Sequence, residues 1–184
     1  MQNAKLFKWF FLWAIFMIVL ILFTLPNERP EQIDTIGFST TESAELYFKN
    51  VRSFYYRNNT EAEGILDVYR LESIFVDSLP SLPFAMYNNW RTNETFIRLD
   101  TAFINTREVV AVIADSAGLK TDTIRFPEMS NESQYLFARD IYRALEEREK
   151  LGLATESEVI WLQESTNRSV KRTLTDYFRL LGKL

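Results

Sequence analysis

The chain has 184 residues, 47% apolar and 15% aromatic, and its 25 acidic against 21 basic side chains leave a formal net charge of −4. It holds neither histidine nor cysteine, which removes the commonest general base, the commonest transition-metal ligands and any disulfide. An acidic surface repels phosphate backbones, so nucleic acid is not expected as a partner.

Residues 9–25, WFFLWAIFMIVLILFTL, carry no charge and a single polar side chain, Thr24. As a helix rising about 1.5 Å per residue the stretch covers roughly 26 Å, close to the thickness of a bilayer core, and a backbone in lipid must satisfy its own polar groups. It reads as a transmembrane anchor. A cleaved signal peptide would need small residues at its cleavage site, and Phe23-Thr24-Leu25-Pro26 offers none. A buried core helix is disfavoured because the run is apolar all round and a domain this small has little room to surround it.

Lys5 and Lys8 precede the span with no acid beside them, whereas Glu28, Arg29, Glu31 and Asp34 follow it. Residues 1–8 are therefore expected in the cytoplasm and the remainder on the far side of the membrane. Trp9 and Trp13 lie near the cytoplasmic end, with Trp9 at the depth where indole rings favour the headgroups. Absent cysteine suits a bacterial inner-membrane protein facing the periplasm. The N-x-S/T sequons at Asn58, Asn93, Asn131 and Asn167 would be glycan acceptors only in a eukaryotic secretory pathway.

Residues 26–38 hold two prolines and a glycine without sustained periodicity and read as a stalk, leaving 39–184 as one extracytoplasmic domain. Ser39 with Glu42 forms a capping box, predicting a helix whose buried face carries Ala44, Tyr47, Phe48, Val51, Phe54 and Tyr55 and which ends before Arg57-Asn58-Asn59. Strands are expected at 65–71, 83–90, 95–100, 108–115 and 119–126, with a short edge strand at 74–76 and a hairpin connection at 91–94. The uninterrupted apolar run at 109–114 marks a central strand covered on both faces.

A helix follows at about 132–151, capped by Asn131 with Gln134 and stopped by Gly152. The box Thr155 to Glu158 opens a last helix, to about Leu181. The fold expected is α+β: an anchor, an N-terminal helix, an antiparallel meander of about four to five strands and two C-terminal helices.

Little in the chain points to chemistry. There is no phosphate-binding glycine loop, and no cofactor is expected. Asp67, Glu72, Asp77, Asp100 and Asp115 could supply a carboxylate pair, but no spacing selects two of them. Glu146, Glu147 and Glu149 alternate with bases as a solvated helix face does. Tyr87, Asn89 and Trp90, next to a turn, form the cluster best suited to partner or ligand contact, although the reading of Trp90 as a pin holding the hairpin to the core is favoured over binding. The expectation is a single-pass, signal-anchored scaffold or accessory subunit of a cell-envelope complex. Its partners would be the lipid bilayer and another envelope protein. A sensor with an aromatic-lined pocket and an acid-residue hydrolase are the alternatives.

Overall fold

A computed structural model describes residues 33–61, 65–75, 82–100, 110–115, 121–126, 130–147, 149–154 and 158–184, with the single positions 9, 13, 16 and 17. Lys5, Lys8 and most of the expected anchor and stalk lie outside the described residues. Trp9, Trp13, Phe16 and Met17 are helical and exposed. No helix among the described residues is long and apolar enough to cross a membrane.

Thr41 opens the first helix. Its backbone is extended and its hydroxyl accepts the Ala44 N–H at 3.3 Å, starting α1 at Glu42–Tyr47. Ser39, the expected cap, instead forms a β-bridge to Glu94, with Thr40 N–H donating to Asn93 O and Thr95 N–H to Phe38 O, each at 2.8 Å. The chain before Thr41 therefore seals the edge of a sheet. After Tyr47 the helix widens into a π turn at Phe48–Arg52 and tightens to a 3-10 turn at Ser53–Tyr55.

The first sheet is a four-stranded antiparallel meander, β1 (Tyr56–Glu61), β2 (Leu66–Leu71), β3 (Phe84–Asn89) and β4 (Glu94–Leu99), in that order. Tyr69 opposite Met86, Met86 opposite Ile97 and Phe84 opposite Leu99 build its core face. The helical segment ends before Arg57-Asn58-Asn59, as expected, and that triplet continues as edge strand β1, where pairing with β2 overrides poor strand propensity. One expectation is overturned here: Ile74 and Phe75 of the expected 74–76 edge strand lie in a 3-10 turn at Glu72–Phe75. The β3–β4 connection falls where expected, with Asn93 at φ 53, a left-handed position that asparagine tolerates.

The second four-stranded antiparallel sheet was not anticipated as a unit. It contains β5 (Val110–Ala114), β6 (Thr121–Arg125), β7 (Lys150–Ala154) and β8 (Val159–Trp161), in the order β6-β5-β7-β8. As its apolar run implied, β5 is central. Residues 150–151 and 159–161, expected to be helical, are in strands, and Gly152, expected to stop a helix, lies within β7. The preceding helix, α2 (Asn131–Glu146), ends sooner, and its cap is Ser130, whose hydroxyl accepts the Ser133 N–H at 3.1 Å. The last helix, α3 (Glu164–Leu180), starts later, with no capping side chain at Gln163. It closes on Gly182 at φ 66: Gly182 N–H donates to Arg179 O and Lys183 N–H to Phe178 O, each at 2.9 Å, satisfying the last carbonyls.

The core lies between these layers. α2 packs against β4 of the first sheet and against β6 and β7 of the second, while α3 covers α2, β3 and β4. Tyr135, Phe137, Ile141, Leu174, Tyr177 and Phe178 fill the seam, with Tyr135 edge-on to Phe178 at 5.7 Å between ring centres. The domain is held from residue 33 onward. Ile33 is buried and its carbonyl accepts the Tyr135 hydroxyl at 2.7 Å, Arg143 pairs with Asp34 at 2.6 Å, and the Lys183 ammonium donates to Thr35 O.

Candidate functional site

Strand alternation separates the residues singled out from sequence. Tyr87 and Asn89 project from the face of β3 opposite the buried Met86 and Asn88. The Arg98 guanidinium lies 5.1 Å from the Tyr87 ring centre, and Asn89 Oδ1 accepts the Arg91 N–H at 3.1 Å. Trp90 turns to the other side, where its indole N–H donates to the Asp67 carboxylate and its ring meets Tyr69 edge-on at 6.3 Å. The Lys49 ammonium sits 3.8 Å from that indole centre. Trp90 thus joins α1's continuation to the first sheet.

The helix expected to bury its apolar face does not. Of that face Phe48 is fully buried and Ala44 packs partly against the core, whereas Tyr47, Val51, Phe54 and Tyr55 are exposed, Phe54 at 79%, with Leu46 beside them. The π turn explains the departure: its wider loop slips the phase of residues after Phe48, so a strict three-and-four spacing no longer points inward. A charged clamp holds this segment in place of apolar burial. Arg52 donates to both Asp176 oxygens at 2.8 Å, and the Tyr56 hydroxyl donates to the same carboxylate at 2.7 Å. The hydrogen bond to Asp176 raises the Arg52 pKa, while burial first and the Asp176 charge second push the Tyr56 hydroxyl well above its ordinary value. Arg172 covers the Tyr55 ring at 3.8 Å.

A second exposed apolar surface lies at the open edge of the second sheet. Residue alternation puts Val159 and Trp161 of β8 on one face, and both lie over Gly152 of β7. A β-carbon on Gly152 would come within 2.8 Å of Val159 Cγ1 and 3.0 Å of Trp161 Cε3. The glycine is needed for close approach of two side chains and does not end a helix. Trp161 remains 45% exposed and Val159 38%. Beside them a groove of about 730 Å³ is lined by Ala114, Glu149, Lys150, Trp161, Leu162, Glu164 and Asn167.

The signal for this site was present but subordinate. Val159-Ile160-Trp161 is a β-branched and aromatic triplet, outweighed by the capping box just before it. A smaller cleft of about 300 Å³ between α2 and the second sheet carries Asp122, Asp140, Glu147 and Glu149 with Arg143. Among the described residues no three acids are placed to hold a metal ion. No protein-family model, no curated protein and no solved structure matches this chain.

Proposed function

We propose that the chain is a single-pass membrane protein, with its N-terminus cytoplasmic and its α+β domain extracytoplasmic. It works as an accessory subunit that binds another envelope protein. The observation that carries this reading is the Val159 and Trp161 platform on the outermost strand of the second sheet. An edge strand offers free backbone groups for an added extended segment, and exposed tryptophan is the side chain most enriched at the centre of binding surfaces. The adjoining groove has the volume of a ligand site, but Trp161 is the one aromatic side chain among its described walls, and Glu149, Lys150 and Glu164 provide charges of both signs. Such walls suit a peptide with polar side chains better than an apolar small molecule.

Replacing the indole tests this. Trp161→Arg in the native membrane is expected to shift the protein from a higher-mass assembly to its own mass on a native gel, with the fold retained by circular dichroism. An unchanged assembly would remove the platform from the interface.

A further inference from the structure

We propose that the exposed stripe of Leu46, Tyr47, Val51, Phe54 and Tyr55 lies in the headgroup layer of the membrane that holds the anchor, fixing the domain's orientation on the lipid. This rests on the membrane-anchored reading above. It assigns a lipid surface to a face that reading leaves unused.

Three observations converge on that occupant. The first is reach. From Leu25, where the apolar run ends, to Ile33, where the chain is locked into the core, an extended chain spans at most about 28 Å. The locked segment leads directly into α1. Lys183 ties Thr35, and Thr41, the cap of α1, has its methyl group 3.7 Å from the position of a β-carbon on Gly182, so the start of α1 and the tether share one corner of the molecule. From Thr41 the stripe extends about 20 Å along the helical segment. A tether of that length keeps this face within reach of the bilayer.

The second observation is the composition of the stripe. Five apolar or aromatic side chains are exposed within ten residues, and two of them are tyrosines, whose rings are apolar and whose hydroxyls are polar, the combination enriched at membrane interfaces. The third is charge. The chain as a whole is acidic, but along this segment the bases Lys49 and Arg172, which lie over the rings of Trp90 and Tyr55, balance the acids Glu42 and Glu45 of α1, and the charge of Arg52 is neutralised by Asp176. Cations beside an apolar face complement anionic headgroups.

Because the chain has no cysteine, a single introduced thiol gives a unique probe. Full-length Phe54→Cys, and Asn59→Cys on the exposed edge strand as control, are labelled with a polarity-sensitive fluorophore and placed in nanodiscs of phosphatidylcholine with phosphatidylglycerol. The label at 54 is expected to emit to the blue and to be quenched by brominated lipid several-fold more than the label at 59. Lys49→Glu with Arg172→Glu is expected to remove most of that difference. Equal quenching at both positions by aqueous iodide, in discs that retain the protein, overturns the docking while leaving the anchor intact. Protein eluting apart from the discs overturns the anchor itself, and the docking with it. Protection of position 54 in native membranes but not in discs assigns the stripe to a protein partner and overturns the lipid proposal.

Discussion

Removing the Asp176 carboxylate should show how the exposed segment is held to the core. Its side chain is 1% exposed and accepts from Arg52 Nε, Arg52 Nη2 and the Tyr56 hydroxyl, while the Arg52 side chain is 19% exposed. Asp176→Ala leaves a guanidinium without its counter-charge and a buried phenol without its acceptor. Breaking a buried ion pair from one side costs about 3–5 kcal/mol. Arg52 can turn partly toward water, which places the loss near the lower end, about 3 kcal/mol. For a protein of this size each kcal/mol lowers Tm by about 2–4 °C, so a fall of about 6–12 °C is expected in thermal unfolding followed by near-ultraviolet circular dichroism. Amide exchange at residues 48–56 should accelerate by more than exchange in β3. Replacing both partners with apolar groups of similar volume, Arg52→Met with Asp176→Leu, should recover most of the loss. A cost below about 1 kcal/mol for Asp176→Ala, or a double variant as unstable as the sum of the singles, would refute the clamp.

Gly152→Ala forces a methyl group against Val159 and Trp161 and should cost about 1–3 kcal/mol. A shift in the Trp161 emission would report the displacement, and an unchanged spectrum would contradict the packing. Gly182→Ala makes only an ordinary contact, 3.7 Å from the Thr41 methyl, but must hold φ 66, so it should lower stability by about 1 kcal/mol in a denaturant titration, with no change in tryptophan emission. Stability should also fall in alkali. Burial, with the Asp67 charge adding at Tyr69, pushes Tyr69 and Tyr135 up to about 12 from an ordinary 10.0. The folded state therefore keeps protons that the unfolded chain releases. Their stabilisation is whole below pH 10 and is lost as the pH rises toward about 12, by about 1.4 kcal/mol per pH unit for each tyrosine. A urea midpoint that stays constant across that range would contradict the burial of both phenols.

Where local pattern and tertiary pairing agreed, the sequence was sufficient. Residues 110–114 of the apolar run became the central β5, and the turn chemistry at Asn93 became the β3–β4 hairpin. Where they disagreed, pairing won. Residues 150–154 carry a glycine at the end of a helical pattern, and only the overlying Val159 and Trp161 reveal why a side chain is excluded there. Likewise Arg57-Asn58-Asn59 has the composition of a turn and becomes a strand because β2 offers it a full register of partners. The stripe on residues 46–55 was visible as periodicity, but periodicity does not say which side faces the core, and the π turn that decides this has no sequence signature of its own. Trp161 was hidden for a related reason: a capping box four residues ahead of Val159 outweighed three residues of strand propensity.

Partner binding through the outer strand of the second sheet is tested most directly by a photoreactive amino acid placed at Trp161 and, as a control, at Asn59, followed by illumination of intact cells. The account predicts one discrete higher-mass adduct from position 161, containing an envelope protein, which disappears when Gly152→Ala displaces the platform. Equal, diffuse labelling from both positions, or an adduct from 161 that survives that displacement, would contradict it.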